Sequence, residues 1–270
     1  METIDPGHLF SLEGRTALVT GAAGHLGRAM AGALAGAGAV VYLNGRRPGP
    51  LEDLRDELRS EGASAEIAPF DVLDPGAVTN FLARLAQQSD RLDVLVNNAH
   101  SGRTGTLESA EAKDYTDAFA VAVQAAAELT KAALELLKAA AVRQGHASVI
   151  NITSMYGMVS PDPSIYGSSG QNSPPYYGAA KAGLIQLTRY AAVHLAPHKV
   201  RVNAISPGPF PPPALADRMP DFWALLNHKS PMRRVGRAAE LQGAVLFLAS
   251  DASTYVTGIN LPVDGGWTAW

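Results

Sequence analysis

The chain has 270 residues, of which 47% are hydrophobic and 17% charged, with a formal net charge of −3 and no cysteine. That balance supplies a buried core and excludes wholesale disorder, and the missing cysteines exclude disulfides, thiolate metal sites and Cys nucleophiles. No Lys/Arg-rich run occurs, so neither nucleic acid nor an anionic membrane is expected as a partner.

Met1-Glu-Thr-Ile-Asp-Pro lacks a basic region followed by an apolar one, so no secretion signal is read and a cytoplasmic location is expected. The longest nearly uncharged run, Ala29 to Leu43, is shorter than the roughly 18 residues of a membrane span. Its Gly/Ala-rich half reads as a helix and its Val40-Val41 end as a buried strand. Before it, Thr16 to Thr20 is a short apolar strand running into Gly21-Ala-Ala-Gly24-His-Leu-Gly27, and a helix follows from Arg28. Strand, glycine turn and helix in that order make a phosphate cradle: bare backbone can approach a pyrophosphate, and the helix start offers free N–H groups. The second strand, Ala39 to Leu43, leads into Asn44-Gly45-Arg46-Arg47. No carboxylate lies between Ala39 and Pro50. An acidic residue there would suit the ribose of NAD, whereas Arg46 suits a 2′-phosphate, so NADP is expected over NAD.

Leu51 to Arg59 repeats leucine at helical spacing, and Ala65 to Phe70 reads as a strand ending at Asp71-Val72. Asp74-Pro75 starts a helix that buries Val78, Phe81, Leu82 and Leu85. Leu92 to Val96 is a fourth strand, ending at Asn97-Asn98-Ala99. A long Ala-rich helix is expected from Ala112 to Ala141. Ala147 to Ile152 is a fifth strand that delivers Thr153-Ser154. In the helix opening at Pro174-Pro175, Tyr177 and Lys181 stand four residues apart and share a face. A nearby ammonium favours phenolate, and the pair is expected to lower the phenol from its ordinary value of about 10. Val200 to Ile205 is a sixth strand, followed by Ser206-Pro207-Gly208, and Gly258 to Val263 is the last. Regular alternation of strand and helix argues for one α/β domain, a doubly wound parallel sheet of about seven strands with helices on both faces.

Taken together, Thr20-Gly21 to Gly27, Asp71-Val72, Asn97-Asn98-Ala99, Ser154, Tyr177-x-x-x-Lys181, Asn203, Pro207-Gly208 and Val263-Asp-Gly-Gly266 resemble the short-chain dehydrogenase/reductase family, compact branch, over nearly the whole chain. The resemblance implies a Rossmann fold over 1–270 and an NAD(P)-dependent oxidoreductase. It would move hydride between nicotinamide and a carbonyl or secondary alcohol, with a sugar or sugar acid among the candidates. Ser154 would hold the substrate oxygen, Tyr177 would exchange its proton, and Lys181 would assist Tyr177 and hold the nicotinamide ribose. The two readings together give a cofactor-binding set of Gly21, His25, Leu26, Gly27, Asn44, Arg46, Asp71, Val72, Asn98, Ala99, Tyr177, Lys181, Pro207, Gly208 and Phe210. The family commonly forms dimers or tetramers through the Ala-rich helix, so a homo-oligomer is expected, and no metal site.

Three departures from the family pattern stand out. Glycines fall at 21, 24 and 27, with His25 where compact members have a middle glycine; this spacing is shared with extended members such as sugar-nucleotide epimerases. Ala122 occupies the place of an Asn that many members use to anchor a relay water, which leaves a redox-inactive nicotinamide-binding sensor or scaffold as another reading. Ser154 and Tyr177 are separated by a lengthened insert over about 156–175, whose Pro-, Ser- and Gly-rich part from Ser160 must loop out and is read as a substrate-facing lid. A second substrate flap is expected over about 209–229, with Phe210, Leu215, Met219, Phe222 and Trp223.

Overall fold

The computed structural model describes residues 6–100, 102 and 104–270. Met1 to Asp5, where the reading of a missing secretion signal begins, lie outside the described residues. Among these residues seven strands form one parallel sheet: β1 Thr16–Val19, β2 Val40–Gly45, β3 Ala65–Pro69, β4 Val94–Asn97, β5 Ala147–Ile152, β6 Val200–Pro207 and β7 Asn260–Val263. Their order is β3-β2-β1-β4-β5-β6-β7. The chain winds outward from β1 to β3, then returns to β4 on the other side of β1. That reversal opens a crevice beyond the carboxyl ends of β1 and β4, where open α/β sheets bind ligands.

Alternating side chains bury both faces of the sheet. Ala17, Val19, Val41, Leu43, Val94, Val96, Ile150 and Ile205 meet the helices His25–Gly36, Pro48–Ser60 and Gln242–Ala249. Leu18, Tyr42, Leu95, Val149 and Val202 meet Pro75–Ser89, Ala125–Ala132, Leu134–Gln144 and Pro175–Leu195. Asp74 caps Pro75–Ser89 by accepting from the N–H groups of Gly76 and Ala77.

The expected helix over 112–141 is not continuous. Ala112–Phe119 passes into a π-helical turn, Ala120–Gln124, then Ala125–Ala132, and it breaks at Ala133 before Leu134–Gln144. An Ala-rich run carries no local stop signal, so neither the π-helical turn nor the break shows in it. Phe119 and Val123 abut Gly183 of the Pro175–Leu195 helix, where an added Cβ would meet them at 3.2 and 3.4 Å.

The insert is a loop, pinned to the fold at one turn. Asp162 caps a 3-10 turn, Pro163–Ile165, and Ile165 and Tyr166 are buried with Met155, Phe222, Leu226, Val235 and Trp267 in a third apolar cluster. Phe222 and Leu226 belong to Pro220–Lys229, which with Ala214–Arg218 makes up the expected flap. Lys229 pairs with Asp162 at 3.0 Å, and the Tyr166 and Phe222 rings lie 5.9 Å apart. No helix of the described residues is long and apolar enough to cross a membrane, and among them no group of His, Asp or Glu could hold a metal ion.

Candidate active site

The glycine turn after β1 is shaped by its neighbours. Gly21 has φ +61, in the left-handed region, and a Cβ on Gly27 would lie 2.1 Å from the Gly21 carbonyl oxygen. Bare backbone therefore lets the helix start fold back on the strand end. No side chain caps His25–Gly36, so its first amides are left for a ligand. Thr20 stitches this turn to β4: its Oγ1 accepts from the N–H groups of Asn98 and Ala99 at 2.8 and 2.9 Å, and Asn98 Nδ2 donates to the Thr20 carbonyl.

Beyond these strand ends lies a groove of about 500 Å3. Of the expected cofactor residues, Gly21, Asn44, Arg46, Asp71, Val72 and Ala99 line it, and so do Ala23, Gly24, Arg47 and His100. Arg46 and Arg47 are exposed on its wall, and neither makes an ion pair among the described residues. Two free guanidiniums, a glycine backbone and an uncapped helix start are the donors that a dinucleotide carrying a 2′-phosphate requires, so the residues present fit NADP.

Several of the expected set also have partners within the fold or lie away from the groove. Asn44 is buried inside β2, because that strand runs on to Gly45, and its Nδ2 donates to the carbonyls of Ala68 and Phe70. Asp71 closes its own turn, accepting from Leu73 N–H at 3.0 Å. His25 is exposed at the helix start, with Leu26 and Gly27 turned partly or fully inward. Pro207 ends β6, and Gly208 N–H donates to the Val263 carbonyl. Phe210 stands apart from the groove in a smaller recess of about 220 Å3 with Met232, Gly236 and Asp264.

At the carboxyl end of β5 the three expected catalytic residues come together. Ser154 is buried, and its Oγ accepts from Tyr156 N–H at 3.1 Å, so it caps the 3-10 turn Met155–Gly157 as well as facing the phenol. That turn sits flush on the Pro175–Leu195 helix. A Cβ on Gly157 would lie 2.8 Å from the Lys181 backbone, and one on Gly178 would lie 2.7 Å from the Tyr156 carbonyl. The same helix is held to the sheet by a run of buried amides and hydroxyls: Asn97 donates to Asn151, which donates to Thr188, at 2.8 and 2.9 Å. Lys181 is 4% exposed, and its Nζ donates to the Ile152 carbonyl at 2.8 Å. It lies 5.8 Å from the centre of the Tyr177 ring. Tyr176, the neighbouring phenol, packs edge-on against Tyr115 instead.

The electrostatics correct one expectation. Tyr177 is raised, not lowered: burial pushes the phenol up, and the contact with Ser154 pulls it only partly back. Spacing alone cannot weigh burial against charge. Burial also lowers Lys181 to about 8. At neutral pH the site therefore holds a protonated phenol beside a charged, moored ammonium. Two further phenols crowd the site, with Tyr166 donating its hydroxyl proton to the Tyr156 oxygen at 2.8 Å, both raised chiefly by burial.

Sequence reasoning missed His100. Its ring meets Tyr177 edge-on at 5.2 Å, it opens onto the groove, and surrounding protein followed by the Lys181 charge holds it neutral, lowered to about 4. The available signal was a titratable residue directly after the strand-end Asn-Asn-Ala.

A family model described as enoyl-(acyl carrier protein) reductase matches residues 21–268. The chain belongs to the short-chain dehydrogenase/reductase family. It is 36% identical to cis-4-hydroxycyclohexanecarboxylate dehydrogenase of Sinomonas cyclohexanicum, over 94% of this chain and 97% of that protein. It is 34% identical to gluconate 5-dehydrogenase of Gluconobacter oxydans, over 96% and 97%. Among solved structures, a gluconate 5-dehydrogenase from Burkholderia cenocepacia in complex with NADP and tartrate superposes with a TM-score of 0.86 at 30% identity, covering 98% of this chain and 100% of that one.

Proposed function

We propose that this short-chain dehydrogenase/reductase is an NAD(P)(H)-dependent oxidoreductase acting on a carbonyl or secondary alcohol, with NADP(H) preferred. One observation carries the reading: Ser154, Tyr177 and Lys181 converge at the carboxyl end of β5, with Lys181 buried on the Ile152 carbonyl. A dinucleotide bound in the groove would supply or accept the hydride. Ser154 holds the substrate oxygen. Tyr177, kept protonated by burial, gives that oxygen its proton in reduction and takes it back in oxidation. Lys181 offsets the negative charge that develops on the phenol, in a site where little water screens it. Arg46 and Arg47 receive the 2′-phosphate, and the first turn of His25–Gly36 receives the pyrophosphate.

The gluconate 5-dehydrogenase relatives support a sugar acid or other polyol as substrate. The phenols of Tyr156 and Tyr166 beside Ser154 are suited to hydroxyl groups. The insert over 156–175 and the flap over 209–229 cover the substrate side, and residues 1–270 act as one cofactor-binding domain. A cytoplasmic homo-oligomer, dimer or tetramer, completes the reading. No relative favours the epimerase or sensor alternatives.

The test is NADPH oxidation with ketones, ketoses and keto acids, and NADP reduction with gluconate. Tyr177→Phe should lower kcat by about 10²- to 10⁴-fold while NADPH still binds. Tight NADPH binding without turnover of any substrate by the wild-type protein would reject it.

A further inference from the structure

We propose that His100 is the residue that carries protons between Tyr177 and solvent, an inference that rests on the oxidoreductase reading above. Each turnover leaves Tyr177 one proton short or one proton over, and that proton has to be exchanged with solvent while substrate and dinucleotide lie against the phenol.

Two routes lead away from Tyr177 and Lys181. One runs towards the π-helical turn, but Ala122 there presents only a methyl group and is 7% exposed. The recess it shares with Thr20 and Asn97 holds about 10 Å3, room for one water at most. The Asn97 amide is already bonded to Asn151 and Thr130. The other route passes His100, whose ring meets Tyr177 edge-on and which is itself exposed to solvent at the rim of the groove. Among the described residues the imidazole has no hydrogen-bond partner. Its placement depends on Gly102, where a Cβ would lie 2.3 Å from Nε2. Desolvation first, and then the Lys181 charge, favour the neutral ring, which offers one donor and one acceptor at the same time.

In the reductive direction the substrate carbonyl gains a hydride on carbon and the Tyr177 proton on oxygen, leaving phenolate. The His100 N–H then donates towards the phenolate through one water, while its other nitrogen takes a proton from solvent. The imidazole ends neutral in its other tautomer, which resets by exchange, and one proton has entered from solvent.

Three kinetic measurements on the 270-residue protein test this: kcat for carbonyl reduction by NADPH, its solvent deuterium isotope effect, and rescue by added imidazole, in wild type, His100→Ala and His100→Gln. His100→Ala should lose about 10- to 100-fold in kcat, raise the isotope effect and recover with imidazole. His100→Gln, which holds a hydrogen bond but passes no proton, should stay slow. Wild-type kcat in either variant, or a loss that glutamine restores and imidazole does not, overturns the relay alone. A wild-type protein that binds NADPH and reduces nothing overturns the oxidoreductase reading and the relay with it. In the cofactor-free protein, the NMR signals of the His100 ring, assigned by their loss in His100→Gln, should move on Tyr177→Phe; no response would mean the two groups share no path.

Discussion

Lys181 is a cation taken almost wholly out of water, with its nearest fixed partner a neutral carbonyl. Burial that lowers its pKa from 10.5 to about 8 opposes folding while the amine stays charged. Between those two values the unfolded chain holds a proton that the native protein has released, so stability rises with pH across that window. Urea denaturation should show wild type gaining on the order of 2 kcal/mol relative to Lys181→Met between pH 7 and pH 10. A flat difference would mean that the ammonium is solvated after all. The spacing of Tyr177 and Lys181 was legible in the sequence, because a helix fixes which residues share a face. The rise of the Tyr177 phenol was not, because it depends on neighbours drawn from several elements.

Elements meet here through missing side chains. The Met155–Gly157 turn and the Pro175–Leu195 helix touch backbone to backbone at Gly157 and Gly178, and that contact sets Ser154 against Tyr177. Gly178→Ala places a methyl group 2.7 Å from the Tyr156 carbonyl, backbone that cannot turn aside. The variant should lose about 1–3 kcal/mol of stability and lower kcat more than it changes NADPH affinity. Retention of both would show that the turn is not what aligns the site. Strand cores and the Asp74 cap were readable from periodicity and capping chemistry. The π-helical turn and the break at Ala133 were not, because a run of alanines carries no signal of its own. The insert shows the same limit: its Pro/Gly content reveals a loop, but not that Ile165 and Tyr166 are buried against Phe222 and Leu226.

For the molecule as a whole, the reversal of winding between β1 and β4 creates the groove, and the run from Asn44 to Arg47 supplies its charge. Replacing both arginines, Arg46→Ala with Arg47→Ala, should weaken NADPH binding by about tenfold or more while NADH binding changes little, as fluorescence titration would read. Equal losses for both nucleotides would place the 2′-phosphate elsewhere. Strand alternation was enough to read a doubly wound sheet, because each apolar run and each helix must bury its face against the next. It could not separate groove residues from scaffold: Asn44 sits at the groove yet ties β2 to β3, and Phe210 belongs to a different recess.

The bond from Lys181 to the Ile152 carbonyl also limits what may replace the lysine. An ammonium has three protons on a rotating centre; with one anchored to the strand, two stay free to swing towards the phenol or a sugar hydroxyl. A guanidinium is flat and longer, so Lys181→Arg would keep the positive charge and lose that swivel, and the most conservative exchange by charge would disable the site.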